Sequence, residues 1–126
     1  MPDLIDEHLQ ADDAELEARW RRLESWIRSR FGRDVSIEAI LFLIGIQSKG
    51  TGYEPELEKE AKQDAVMEGT FCAFETLGLY ERIGLDENGA WIWERSVASI
   101  PKLAIEQQEK LLKIGIVRYF DDVLSQ

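Results

Sequence analysis

Carboxylate side chains recur at helical spacing in one stretch of this sequence and are its first candidates for chemistry. Glu56, Glu60, Asp64 and Glu68 follow one another every four residues, so a helix would carry all of them on one face. Several oxygen ligands on one face, with Gln63 beside them, could hold a divalent cation. The alternative, which we favour, is a solvated or cross-paired face, because exposed acidic helix faces are ordinary.

Arginine side chains and a tryptophan form a second candidate surface on an earlier stretch. Arg19, Arg22, Trp26, Arg30 and Arg33 are spaced to share one side of a helix, away from its apolar side. Guanidinium groups interleaved with an aromatic ring could bind a phosphate, a nucleobase or an acidic partner. They could also pair with the acidic helix or the acidic N-terminal segment, within the chain or across a dimer. The net charge of −10 favours such pairing.

The candidate ligand or partner surface taken from these two stripes is therefore Arg19, Arg22, Trp26, Arg30, Glu60, Gln63, Asp64 and Glu68.

Residue types on which catalysis usually depends are scarce. Cys72 is the single cysteine and His8 is the single histidine. His8 is therefore the one histidine that could act as the base for a thiol nucleophile. We therefore expect Cys72 to be a packed thiol and His8 to be an exposed side chain. The Glu-x-x-His pairs of di-iron bundles, the Walker loop and the Gly-x-Ser-x-Gly elbow do not occur in the sequence. We assign no catalytic residue, no metal ligand and no cofactor, and expect a protein without enzymatic activity.

Length, charge and hydropathy limit the classes of protein to which the chain belongs. With 126 residues, 44% of them apolar, it has the size of one domain over residues 1–126. A net charge of −10 disfavours nucleic-acid binding, which rests on basic residues. The longest apolar run, residues 39–46, is far shorter than the roughly 20 residues that cross a bilayer. With no basic, apolar leader at the start, we expect a cytoplasmic protein that binds neither nucleic acid nor membrane.

Hydrophobic periodicity predicts four helices after an acidic, frayed or briefly helical segment at residues 1–13. The first runs from Ala14 to a C-cap at Gly32, and the second runs from Ile37 to Ser48 with Asp34 or Ser36 as its N-cap. The second is apolar throughout its centre, and its flanking cap residues favour a buried helix over a strand. The third begins at Pro55 and ends before Gly78. The first helix has an apolar face of Leu16, Trp20, Leu23, Ile27 and Phe31.

Small residues on the third helix predict a close helix–helix contact. Ala61, Ala65 and Gly69 form one stripe, with Cys72 and Ala73 beyond. Such a stripe lets another backbone approach, and Gly45 in the apolar helix is its natural counterpart.

A turn signal marks a β-hairpin at about residues 79–95. Asp86 and Gly89 have the spacing of a type I turn followed by a G1 bulge. In that register Leu85 faces Trp91 and Ile83 faces Trp93. We expect this tryptophan face to pack on the helices, and a solvent-exposed stacking platform is the alternative. A last helix opens at Ser99 and Pro101. The fold class is therefore mainly α, a four-helix compact domain with one β-hairpin inserted before the last helix.

The last helix carries more apolar side chains than one buried face needs, namely Ile116, Val117, Tyr119, Phe120, Val123 and Leu124. This excess motivates our leading hypothesis, a non-catalytic protein–protein interaction or structural module that acts as a homodimer through this helix, with an unknown protein partner. One alternative is a small-ligand or divalent-metal binding protein that uses the acidic row. A second alternative is an acidic nucleic-acid mimic that binds a basic protein.

Overall fold

Five helices and one antiparallel hairpin make up the part of the chain that the structure, a computed structural model, describes: residues 4–32, 36–49, 59–97 and 100–124. In chain order they are α1 (Leu4–Leu9), α2 (Asp13–Phe31), α3 (Ile37–Lys49), α4 (Lys59–Thr76), β1 (Tyr80–Leu85), β2 (Trp91–Arg95) and α5 (Ile105–Leu124). The predicted fold class, mainly α with one hairpin before the last helix, is confirmed. The added fifth helix is the short α1, which lies in the acidic segment.

Both ends of α2 are fixed by its flanking residues. The carboxylate of Asp12 accepts a backbone N–H of the first turn at 3.0 Å, and Gly32 ends the helix in the left-handed conformation at φ 74°. The residues of the predicted apolar face that are buried are Leu16, Trp20, Leu23 and Ile27. Phe31 was predicted to belong to this face, but its side chain is 52% exposed, since it lies at the last turn where the core ends.

The apolar run of residues 39–46 is helical, as its flanking cap residues predict. The hydroxyl of Ser36 accepts the backbone N–H of Ala39 at 3.1 Å, which caps α3, while Asp34 lies outside the described residues. The buried positions of α3 are Ile40, Leu41, Ile44, Gly45 and Ile46.

Glycines bring α3 and α4 into direct backbone contact. A Cβ atom on Gly45 would lie 1.7 Å from the carbonyl oxygen of Ala65, and one on Gly69 would lie 1.9 Å from that of Leu41. The two contacts run in opposite chain directions, so the helices are antiparallel. This confirms the predicted contact between the small-residue stripe and Gly45, and it leaves no room for a side chain at either glycine.

The last helix packs one broad apolar side against the rest of the chain. It packs against α1, α2, α3 and α4, and a Cβ on Gly115 would lie 2.6 Å from the carbonyl oxygen of Ala73. Its buried apolar residues are Leu111, Ile114, Ile116, Val117 and Phe120. The helix begins at Ile105, later than predicted. The predicted helix-start residues Ser99 and Pro55 lie outside the described residues.

The hairpin loop has the predicted turn. The backbone N–H of Asp86 donates to the carbonyl of Ala90 at 2.8 Å, and Gly89 is left-handed at φ 80°. The side chain of Asp86 also accepts the backbone N–H of Asn88 at 2.8 Å, which is the reason for an aspartate at the first turn position.

The hairpin register differs from the predicted one at a single step. Leu85 pairs with Trp91, as predicted, but the residue opposite Trp93 is Arg82 instead of Ile83. A register shift between Arg82 and Gly84 causes the change. Ile83 therefore loses its place on the packed side and is 54% exposed.

Alanine at the helix contact should unfold the protein more easily. We expect Gly45→Ala and Gly69→Ala each to lower the free energy of unfolding by about 3 kcal/mol, the upper end for overpacking. Gly115→Ala should cost less, about 1 kcal/mol, because its gap is wider. Urea denaturation measures this, with the exposed Gln63→Ala as a control within about 0.5 kcal/mol of wild type. A stabilised Gly45→Ala would contradict the close contact.

Candidate functional site

The basic stripe of α2 is only partly neutralised by its own chain. Arg19 forms an ion pair with Asp121 of α5, and Arg30 stacks on Trp26 with its guanidinium 5.0 Å from the ring centre. Within the described residues, neither Arg22 nor Arg30 has an ionic partner. The predicted fifth member of the stripe, Arg33, lies outside the described residues.

Trp26 does not lie where the stripe predicted it. It is half-buried and packs on the core, with its ring centre 5.9 Å from that of Phe120. The ring therefore turns from the arginine side of α2 toward α5, and Arg30 covers its outer surface. A large aromatic at the edge of an apolar face gains more from this burial than from exposure among charges.

Trp26 forms one wall of an apolar groove between α2, α3 and α5. The groove encloses about 320 Å³ and is lined by Trp26, Ile27, Phe31, Leu43, Ile46, Gln47 and Phe120. Gln47 is the polar residue in this lining, and its side-chain oxygen accepts the hydroxyl of Tyr119 at 2.9 Å. Burial raises the pKa of that hydroxyl, so Tyr119 remains a neutral donor. The groove can therefore hold apolar groups, and Arg30 lies next to it, over the ring of Trp26.

The acidic row of α4 is divided between solvent and interior. Glu60, Gln63 and Asp64 are exposed, but Glu68 is only 7% exposed, so within the expected solvated or cross-paired face this residue is not solvated. Both carboxylate oxygens of Glu68 accept the indole N–H of Trp93, each at 3.1 Å, and one accepts the hydroxyl of Ser48 at 3.4 Å. Glu68 is thus a structural anchor that joins α3, α4 and the hairpin.

Its position had a signal in the sequence. Glu68 adjoins Gly69 and lies four residues before Cys72 in the small-residue stripe, so it shares the face that packs against α3. What sequence reasoning missed is the indole donor, which comes from a strand 25 residues away.

An arginine held between two tryptophans fixes the inner side of the hairpin. The guanidinium carbon of Arg82 lies 4.9 Å from the ring centre of Trp91 and 5.0 Å from that of Trp93. Its Nε is 3.3 Å from a carboxylate oxygen of Glu75, an ion pair without hydrogen-bond geometry. Cation–π contacts of this kind are stronger when the cation is desolvated. The prediction that the tryptophan face packs on the helices is confirmed for Trp93, whose ring centre lies 5.4 Å from that of Phe71.

Cys72 is a packed thiol, as predicted. It is buried, and Nη2 of Arg82 lies 3.4 Å from its sulfur. Burial raises the pKa of the thiol and outweighs the opposing effects of the Ser48 hydrogen bond and the Arg82 charge, while the carboxylates of Glu68 and Glu75 add smaller increases. The thiolate needed for nucleophilic attack is therefore disfavoured.

The expectation of an exposed His8 is wrong. Its side chain is half-buried, and Nε2 lies 2.9 Å from the carbonyl oxygen of Leu77. A carbonyl can only accept, so the proton is on Nε2 and the ring donates it. The contact ties α1 to the residue that follows α4, where a helix C-terminus leaves carbonyls without helical partners.

The two charged stripes lie on different parts of the molecule. α5 packs against both α2 and α4, and no ion pair of the described residues joins the stripe to the row. A site that combines Asp64 and Glu68 with the α2 arginines is not assembled. Among the described residues, no group of three or more histidine, cysteine or acidic side chains could hold a metal ion.

No described helix combines the length and hydropathy that crossing a membrane requires. Comparison with protein-family models, with curated proteins and with solved structures found no match.

Removal of the buried carboxylate should weaken the fold. Glu68→Ala leaves the Trp93 N–H without its acceptor, and we expect a loss of about 1–3 kcal/mol in the free energy of unfolding. Glu68→Gln keeps an acceptor oxygen and should lose less. Urea denaturation followed by tryptophan fluorescence measures both variants. The exposed Asp64→Ala is the matched control, within about 0.5 kcal/mol of wild type. Equal stability of all three variants would refute the anchoring role of Glu68.

The buried thiol predicts a loss of stability in alkali. The folded state raises the pKa of Cys72, so the unfolded chain releases this proton first, near the ordinary value of 9.0. The stabilisation is complete below that pH and declines as the pH rises toward the folded value. Urea unfolding from about pH 8 to about pH 11 measures the slope. Cys72→Ala should flatten it, whereas an unchanged slope in this variant would contradict the contribution of the thiol.

Proposed function

We propose that this protein is a cytoplasmic, non-catalytic interaction module whose groove between α2, α3 and α5 binds the apolar side of an acidic amphipathic helix from another protein. The observation that carries the proposal is the half-exposed ring of Phe31 at an apolar groove, on a helix whose Arg22 and Arg30 have no ionic partner in the described chain. Half-exposed aromatics and arginines are the residue types that dominate protein interfaces.

The dimensions of the groove favour side chains over a free small molecule. Its volume of about 320 Å³ is at the lower limit for small-molecule pockets, which enclose roughly 300–1,000 Å³. Its walls are helices, and recognition of a helix in an apolar groove uses residues spaced at i, i+3, i+4 and i+7. A few apolar side chains on one side of a partner helix would fill it.

Charge selects an acidic partner. The guanidinium of Arg30 covers the outer surface of Trp26, a wall of the groove, and Arg22 lies four residues before Trp26 on the same helix. The chain carries a net charge of −10, so an acidic partner is repelled elsewhere and attracted here. This distribution orients the partner before the apolar contact forms.

The apolar surface that motivated a homodimer is used within one chain. Ile116, Val117 and Phe120 are buried against the other helices, and Tyr119 is half-buried. The side chains of Val123 and Leu124 lie outside the described part. The homodimer stays a prediction, but the described residues of α5 no longer supply the exposed apolar surface that motivated it. A partner of different sequence, with acidic residues, better fits the arginines of α2 that have no ionic partner in the described chain.

The experiment uses a synthetic peptide of about 18 residues with Leu at i, i+3, i+4 and i+7 and Glu and Ala elsewhere. Calorimetric titration should give saturable binding. We expect Phe31→Ala and Arg30→Glu each to weaken it about tenfold, or about 1.4 kcal/mol. The matched controls are Ile105→Ala, another exposed apolar residue, and Arg21→Glu, an arginine of α2 already paired with Glu17.

Light scattering of the free protein accompanies the titration. A monomer of 14.5 kDa together with loss of binding in the groove variants alone supports the proposal. Binding that the groove variants leave unchanged would refute the docking site. If the wild-type protein has the mass of a dimer and Phe31→Ala has the mass of a monomer, the surface instead serves homodimer formation.

A further inference from the structure

Three aliphatic side chains of the hairpin are exposed to solvent. Leu85, 57% exposed, pairs with Trp91, whereas Ile83 and Ile92 lie on the opposite side of the hairpin. Ile83 of β1 is 54% exposed and Ile92 of β2 is 41% exposed, whereas Arg82, Trp91 and Trp93 on the inner side are half-buried. The exposed positions Glu81, Ile83, Ile92 and Glu94 form what we call the outer face of the hairpin.

The β-bulge produces this face. Without the shift between Arg82 and Gly84, Ile83 would pair with Trp93 and pack inward. The bulge instead places Arg82 opposite Trp93 and turns Ile83 outward. The backbone at the bulge has a φ of 156° at Gly84, a conformation that favours glycine. Bulges occur preferentially where a strand must re-aim a side chain. An aliphatic residue gains nothing in the monomer from being re-aimed into water.

Like charges stand opposite each other on the same face. Glu81 and Glu94 are directly paired across the strands, where equal charges destabilise a hairpin. Within the described residues, neither carboxylate forms an ion pair. The two arginines of the hairpin, Arg82 and Arg95, sit at inner-side registers and are engaged there. The outer face thus has exposed aliphatic surface beside an unrelieved carboxylate pair.

We propose that the outer face of the hairpin is a second docking surface, which binds an extended segment of another protein in which basic and aliphatic residues alternate. The two glutamates and the two isoleucines form successive rows, roughly 7 Å apart for two residues of strand. An extended segment matches this spacing with a Lys or Arg at one position and an aliphatic residue two positions away. Its cation relieves the glutamate repulsion, and its aliphatic side chain covers Ile83 and Ile92.

The same charges argue against other occupants. A second copy of this chain would bring a second carboxylate pair, and nucleic acid or an anionic membrane would be repelled in the same way. The occupant is also distinct from the partner proposed for the groove, which is acidic and helical. The two surfaces can therefore be tested separately.

The test uses the full chain and a synthetic Lys-Val repeat peptide, with a Lys-Ser repeat of equal charge as the control peptide. Backbone amide shifts in an NMR titration should change at residues 81–94 with Lys-Val and remain small with Lys-Ser. The double variant Glu81→Gln/Glu94→Gln should bind about fivefold more weakly, and Ile83→Thr/Ile92→Thr should do the same. The second variant keeps β-branched side chains, so the strands are retained.

A charge-matched control separates a specific site from general attraction to an acidic protein. Glu60→Gln/Asp64→Asn removes two exposed carboxylates from α4 and should leave the affinity unchanged. Glu94→Lys should raise the melting temperature, because it replaces a repulsive pair by an attractive one, and should abolish peptide binding. Opposite effects on stability and binding are not expected of a purely structural residue.

Three outcomes would overturn the inference. They are equal binding of the Lys-Ser peptide, amide shifts centred on α4, and equal affinity of wild type and the Ile83→Thr/Ile92→Thr variant. The indole N–H signal of Trp93 monitors the inner side in every variant, so a collapsed hairpin is recognised and is not counted as lost binding.

Discussion

Backbone contact between α3 and α4 is the constraint on which the rest of the molecule depends. At Gly45 and Gly69 the helices touch through main-chain atoms, so their separation and relative rotation are fixed by geometry instead of by adaptable side chains. The contact sets Ser48 of α3 beside Glu68 of α4. It also leaves the other side of α4 free to pack against α5. There Gly115 makes a second close contact between helix backbones, with Ala73. A helix with small residues on two sides can occupy the centre of a small domain.

Polar anchoring then extends this geometry to the hairpin. A two-stranded hairpin is marginal by itself, so its position must come from what it contacts. Glu68 receives the indole of Trp93, and Glu75 pairs with Arg82, so both carboxylates lie on α4 and both partners lie on the inner side of the strands. Buried polar groups are costly when unpaired, which makes this arrangement selective for one hairpin orientation. The outer face is exposed because the inner one is occupied in this way.

The sequence predicted those features that depend on local spacing. The apolar face of α2 as far as Ile27, the helical state of residues 39–46 and the turn at Asp86 follow from periodicity, capping and turn chemistry, and all are found. The indole partner of Glu68 and the bulge before Gly84 depend on residues distant in sequence, which no local pattern reveals. The sequence did not predict the groove either, because its walls come from three helices. Of the residues proposed for the site, Trp26 and Arg30 border this groove, whereas Gln63 and Asp64 remain in solvent.

Strong net charge and local charge distribution have separate consequences here. A charge of −10 keeps like molecules apart and repels polyanions from most of the surface. On this acidic surface, Arg30 places a positive charge next to the apolar groove. On the hairpin, Glu81 and Glu94 place negative charge next to the exposed Ile83 and Ile92. Apolar surface alone does not choose a partner, since it binds without direction. Charge beside an apolar surface supplies the choice, and because the charges beside the two surfaces are opposite, we propose a different partner for each.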